Sequence, residues 1–302
     1  MLSQGDRTER SDRGNRRVLL QEVGPRDGLQ NEPQTLSPET RADLIERLLD
    51  TGLPRIQIGS FVNPRKVPQM AGTGEVWQRL RHRPNVRYSA LVLNQRGLET
   101  ALAEGIPHVE IYVSASETHS LKNVGVTIGD ALAEAVRMVE TALRRGAGVT
   151  AGVMCAFGCF YEGSVPLEKV RELVGRFDAV GPVEIGLADT AGLGEPERVK
   201  SVIESVVELV GADRLTVHLH DTRGTGLANL RAALDAGVRY FDASVGGLGG
   251  CPFIPGAAGN IATEAACALL ESLGYTTGVD VAKVTEVGKH LAEILGGLPA
   301  SR

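Results

Sequence analysis

Eight short apolar, β-branched runs recur about every 25–40 residues, helical periodicity fills the gaps between them, and glycines close the helical stretches. Together these observations predict an α/β fold, a closed (β/α)8 TIM barrel with an additional C-terminal helical segment. The strand runs are 18–23, 55–60, 86–93, 108–113, 149–156, 183–188, 215–220 and 240–245. They are nearly continuous in apolar residues, as suits strands buried on both faces, and their alternation with helices calls for a parallel sheet. The first helix, expected over 38–51, opens behind Ser37 as a side-chain cap with Pro38 at its first position. Further helical patterns follow at 97–104, 129–145, 167–180, 195–209 and 224–236, and Gly52, Gly105, Gly146 and Gly237 stand where such runs stop. A Gly-rich loop, 246–259, follows the eighth run. Helical patterns at 260–273 and 281–295 come next, the second read as an added helix packed on the barrel.

Residues 1–16 mix arginines with Asp6, Glu9 and Asp12 and contain no apolar stretch, so they read as a disordered tail rather than a secretory signal. One domain over 17–302 is expected, since barrels of about 250 residues are ordinary single domains. The net charge of −5 and the scarcity of aromatic residues, 4% of the chain, leave no basic, aromatic-rich face for nucleic acid. No uninterrupted apolar window reaches membrane-spanning length, so no membrane partner is expected. The four cysteines, Cys155, Cys159, Cys251 and Cys267, are too scattered for a disulfide framework, which fits a cytoplasmic setting.

In a barrel the chemistry belongs at the C-terminal ends of the strands. There the first run leads into Arg26, Asp27 and Gln30, the second carries Gln57 and Ser60, and the seventh ends in His218-Leu219-His220. The Gly-rich loop after the eighth run supplies Cys251 and leads to Asn260. A spacing of two puts His218 and His220 on the same face of a strand. Two imidazoles, the Asp27 carboxylate and an amide oxygen from Asn260 make a mixed nitrogen and oxygen site for a divalent cation, Mg²⁺ or Mn²⁺. The competing reading is two histidines satisfied by polar neighbours inside the barrel. Arg26 and Asp27 read either as a structural ion pair or as an oxyanion partner beside a metal ligand. Cys251 is an acid/base candidate or a small hydrophobe. Cys155 and Cys159 read as core residues, and His82, His108, His119 and His290 as packing or surface residues.

These residues stand in longer motifs: Glu22-Val-Gly-Pro-Arg-Asp-Gly-Leu-Gln-Asn-Glu32, Ser60-Phe-Val-Asn-Pro-Arg-Lys-Val-Pro-Gln-Met70, Leu121-Lys-Asn-Val124, His218-Leu-His-Asp-Thr222 and Gly249-Gly-Cys-Pro-Phe-Ile-Pro-Gly-Ala-Ala-Gly-Asn-Ile-Ala-Thr-Glu264. Through them nearly the whole chain resembles the 3-hydroxy-3-methylglutaryl-CoA lyase family. The resemblance implies that Asp27, His218, His220 and Asn260 bind the divalent metal. It also implies that Arg26 meets the thioester oxygen as it becomes an enolate, that Asp27 or His218 assists loss of the hydroxyl proton, and that Cys251 acts as acid/base on a closing loop. The implied reaction is retro-Claisen cleavage of 3-hydroxy-3-methylglutaryl-CoA to acetyl-CoA and acetoacetate, in leucine degradation or ketone-body formation, by a homodimer. Gln30, Gln57, Ser60 and Asn123 are the candidate substrate contacts. One departure stands out: Gln57 occupies a position where the family typically carries Glu. That keeps open a related lyase for another branched 3-hydroxyacyl-CoA, or a 4-hydroxy-2-oxoacid aldolase.

Overall fold

The computed structural model describes residues 16–249 and 259–296. Eight parallel strands close in sequential order into one barrel. They are β1 (Leu19–Glu22), β2 (Arg55–Ser60), β3 (Arg87–Leu91), β4 (His108–Ser114), β5 (Gly148–Met154), β6 (Glu184–Asp189), β7 (Leu215–Leu219) and β8 (Tyr240–Ala243). Every expected run is thus a strand. The helices are α1 (Pro38–Leu49), α2 (Thr73–Arg79), α3 (Gln95–Ala103), α4 (Glu117–Asn123), α5 (Ile128–Arg144), α6 (Leu167–Asp178), α7 (Pro196–Val210), α8 (Gly226–Asp235), α9 (Thr263–Ser272) and α10 (Val281–Ile294). Ser37 caps α1 as expected, its Oγ accepting Thr40 N–H at 3.2 Å. Gly52, Gly105, Gly146 and Gly237 all take positive φ beyond helix ends, a conformation a side chain would strain.

The apolar core lies between the barrel and its helices. Ile56, Ile58, Val109, Ile111, Val149, Val153, Ile185, Leu187, Leu215 and Val217 meet buried faces such as Val139 on α5 and Leu173 on α6. The added helix α10 buries Val284, Val287 and Leu291. Arg41 of α1 is fully buried with no carboxylate partner among the described residues; its guanidinium donates to Ala71 O at 2.9 Å and Thr73 Oγ1 at 3.3 Å, fastening the segment after β2 to α1.

The barrel interior is polar, unlike the branched apolar filling usual in this architecture. At the base, Glu184 accepts from Arg55 and Arg87, each at 2.8 Å through Oε1, and Arg55 lies over the Tyr240 ring. Above, Gln21 donates to Glu110 at 3.0 Å and Asp242 at 3.2 Å, and Ser89 donates to Glu110 at 2.6 Å. Gln21 and Asp242 are register partners across β1 and β8, and His218 and Asp242 across β7 and β8, so the strand order itself stacks this column. Tyr112 crosses the interior where Gly152 and Gly186 leave room; a Cβ on either would collide with its ring. Gly152→Ala is expected to lower stability by about 1–3 kcal/mol through overpacking, read as a reduced urea midpoint with an unchanged m-value.

Candidate active site

The site begins with backbone. After β1, Gly24–Gly28 forms a single π-helical turn in which the N–H groups of Arg26, Asp27 and Gly28 all point at Val23 O, at 3.0, 2.7 and 3.3 Å. Such turns break helical regularity and are frequent at functional sites. This one carries Arg26 and Asp27 together into the barrel mouth, both buried. Arg26 donates from Nη1 to Asp27 Oδ1 and from Nε to Gln57 Oε1, and Gln30 donates to the same Asp27 oxygen at 3.2 Å.

β7 supplies His218, and His220 follows directly after its end. His218 Nε2 and His220 Nε2 face each other at 3.0 Å and lie 3.8 and 3.4 Å from Asp27 Oδ2. Asp242 holds His218 through Nδ1 at 3.1 Å. Asn260 arrives from far along the chain: residues 259–262 lie between the ends of β7 and β8, with Ile261 N–H on Leu219 O at 3.1 Å and Ser244 N–H on Ile261 O at 3.0 Å. A bridge pairs His220 with Asn260, whose amide donates to Asp27 Oδ2 at 2.9 Å and Leu248 O at 3.0 Å.

Among the described residues, the group of three or more carboxylate, imidazole and thiol side chains close enough to share a metal ion is Asp27, His218 and His220, their ligand atoms within 4.8 Å of one another. One buried atom strengthens the fit: among the described residues, Asn260 Oδ1 is an acceptor with no partner. Burial alone would raise the Asp27 pKa, but Arg26 beside it, with His220 and His218, holds the carboxyl well below its usual range. It is therefore ionised, as a metal ligand must be.

A cavity of about 180 Å³ opens over these groups. It gathers Arg26, Asp27, Gln30, His218, His220 and Asn123 from the sequence-derived candidates. Gln57 and Asn260 support the same site through Arg26 and Asp27. Ser60 is buried at the end of β2, apart from the cavity lining, its Oγ unpartnered. Cys251, most of the Gly-rich loop and residues 1–15 lie outside the described residues. Sequence reasoning did not single out Tyr112, His119, Thr190 and Asp242 in the lining. Asp242 was within reach, since a carboxylate inside the apolar run 240–245 is anomalous for a buried strand. His119 carried no local signal. Cys155 and Cys159 are buried core residues, as expected.

The family model described as HMGL-like matches residues 17–291. The chain belongs to this family. It is 43% identical to the (R)-citramalyl-CoA lyase of Chloroflexus aurantiacus over 294 residues, covering 94% of this chain and 93% of that protein. It is also 43% identical to the hydroxymethylglutaryl-CoA lyase of Pseudomonas mevalonii over 285 residues, covering 94% and 95%. A solved structure of an HMG-CoA lyase from Acinetobacter baumannii, in complex with coenzyme A and 3-methylmalate, superposes with a TM-score of 0.91 at 36% identity, covering 95% of this chain and 94% of that one. The HMGL-like chain is a carbon–carbon lyase.

Beside the site, Glu22 ties the β1 turn to the start of the Gly-rich loop. It accepts Gly24 N–H at 2.8 Å, Val245 N–H at 2.9 Å and the Thr263 hydroxyl at 2.8 Å. Burial pushes its pKa from 4.5 up to about 8, against the bonds from Val245, Thr263 and Gly24. Between these two values the folded protein keeps a proton that the unfolded chain releases, so stability falls as pH rises through that window. Urea midpoints measured from about pH 5 to about pH 8 are expected to decline in the parent and to decline less in Glu22→Gln, which preserves the shape and removes the titration.

Proposed function

We propose that this lyase cleaves 3-hydroxy-3-methylglutaryl-CoA to acetyl-CoA and acetoacetate with a divalent cation, Mg²⁺ or Mn²⁺, held by Asp27, His218, His220 and Asn260. The observation that carries this reading is the convergence of Asp27, His218, His220 and Arg26 on one cavity, with Asn260 bonded to Asp27 behind it, within a family whose relatives are named for this chemistry. The bound cation supplies Lewis acidity, which lets a tertiary hydroxyl ionise near neutral pH.

The residues divide the remaining work. In this reading Asp27 or His218 takes the hydroxyl proton, and Asp242 behind His218 Nδ1 fixes the ring orientation. As the bond between the carbinol carbon and the thioester-bearing carbon breaks, its electron pair moves to the thioester and leaves an enolate. Arg26, permanently cationic and already oriented by Asp27 and Gln57, meets that oxygen. The enolate carbon then takes a proton, with Cys251 as the proposed donor, to give acetyl-CoA. A homodimer, a single lyase domain over 17–302 and a cytoplasmic setting are part of the same proposal; among the described residues no helix is long and apolar enough to cross a membrane.

A second reading is favoured by Gln57. With Glu at this position Arg26 would bond two carboxylates; here, among the described residues, it bonds that of Asp27, and the buried Gln57 Nε2 has no partner and remains available as a donor. One fewer negative charge in a poorly screened pocket favours a substrate carboxylate seated nearer Arg26. In citramalyl-CoA the carboxylate is attached directly to the carbinol carbon, one methylene closer than in the methylglutaryl substrate. The similarity to an enzyme named for that substrate accords with this.

The deciding assay is acetyl-CoA release from both thioesters by metal-loaded protein, before and after chelation. Cleavage of the methylglutaryl substrate that is lost on chelation and restored by Mg²⁺ or Mn²⁺ is expected; a folded, metal-loaded protein inert toward it would defeat the first reading. Gln57→Glu is expected to move the ratio of kcat/KM values toward the methylglutaryl substrate by about tenfold, about 1.4 kcal/mol of differential binding. An unchanged ratio would remove Gln57 from substrate choice.

A further inference from the structure

The substituents on the carbinol carbon of the proposed substrate need different surroundings, and the cavity is divided in the same way. β7, β8 and β1 follow one another round the barrel and supply His218, Asp242 and, just past the end of β1, Arg26 and Asp27. The opposite arc, β3 to β6, lines the cavity without a carboxylate, lysine or arginine; its strand residues there are Leu91, Tyr112, Met154 and Ala188. A hydroxyl and a carboxylate arm at the cation site, with a thioester oxygen at Arg26, use the first arc. The alkyl branch on the same carbon is left facing the second, where burial of apolar surface favours it.

Tyr112 sets the depth of that arc. It pairs in register with Gly152 on β5, and Gly152 pairs with Gly186 on β6, so two neighbouring positions carry no side chain. The phenol ring lies across both: a Cβ on either glycine would stand 2.8 Å from Tyr112 Cζ. Two residues further along these strands, on the same face, come Met154 and Ala188, and Ala188 pairs with His218. The ring therefore crosses the interior one layer beneath the cavity walls and closes the cavity from below. The other six residues of β4 are buried, whereas Tyr112 keeps partial exposure toward the cavity it lines. Burial, with the carboxylates of Glu110 and Asp242 nearby, holds the phenol well above its ordinary pKa, so this floor stays uncharged.

We propose that Tyr112 is a specificity-determining residue, its ring being the floor on which the alkyl branch of the carbinol carbon ends, so that the branch is held to the size of a methyl group. This rests on the hydroxyglutaryl-CoA reading above. It is tested by kcat/KM for acetyl-CoA release by the metal-loaded, full-length protein from the CoA thioesters of 3-hydroxy-3-methylglutarate, 3-ethyl-3-hydroxyglutarate and 3-hydroxy-3-propylglutarate. The parent is compared with Tyr112→Ala, Tyr112→Leu and Tyr112→Phe. The parent is expected to prefer the methyl over the propyl thioester by more than about tenfold, since added methylenes find no room. Tyr112→Ala uncovers the space over Gly152 and Gly186, and that preference should shrink by about tenfold, with a gain on the propyl thioester and not only a loss on the methyl one. Tyr112→Leu should shift the ranking the same way by less, and it carries the comparison if Ala does not fold. Tyr112→Phe keeps the ring and should keep most of the preference. The assignment is overturned by a parent that takes the propyl thioester as well as the methyl one, by Ala and Leu variants that lose activity equally on all three, or by a Phe variant whose ranking shifts as far as that of Ala. A parent that cleaves none of the three overturns the hydroxyglutaryl-CoA reading itself, and the assignment with it, so the parent rates tell the two failures apart.

Discussion

Asp27 is the constraint on which the site depends. Its carboxylate neutralises Arg26, accepts from Gln30 and Asn260 and faces the imidazoles of His218 and His220, all with little solvent. Removing one partner of a buried pair leaves the other charge unpaired, which costs far more than the pair itself contributes. Without Asp27, Arg26 would keep only the Gln57 amide among these partners, and two imidazole nitrogens 3.0 Å apart would lose the anion facing them. Three distant parts of the chain, the turn after β1, the end of β7 and the segment 259–262, are held in one place by this carboxylate.

The interior beneath it is built to serve that arrangement. Asp242 orients His218, Gln21 bridges Asp242 to Glu110, and Glu184 with Arg55 and Arg87 closes the base. Buried ion pairs contribute little net stability, because desolvation offsets the Coulombic gain. The stabilising burial lies instead on the outer face of the strands, where branched side chains pack against the helices. Stability and chemistry thus occupy opposite faces of the same strands, separated by the two-residue period of the β conformation.

Gln57 shows how finely such a site is set. The amide keeps the hydrogen bond to Arg26 that a carboxylate would make, so the geometry of the guanidinium is preserved while its electrostatic surroundings change. Glu22 acts at one remove, joining the β1 turn to the start of the Gly-rich loop without touching the cavity lining.

The sequence by itself determined the barrel, because strand burial and helix amphipathicity are local periodicities, and it determined Arg26, Asp27, His218 and His220 as a group, because strand ends and a spacing of two place them predictably. Helices α2 and α4 were not legible: at seven residues each they complete two turns, too few to display a helical period. The partnership of Asn260 with Asp27, the reach of Asp242 to His218 and the place of His119 in the cavity wall were decided only by tertiary structure. Each joins residues whose proximity arises from closing the barrel or from a chain segment folding back between two strands. Such contacts leave no periodic trace in the residues that make them.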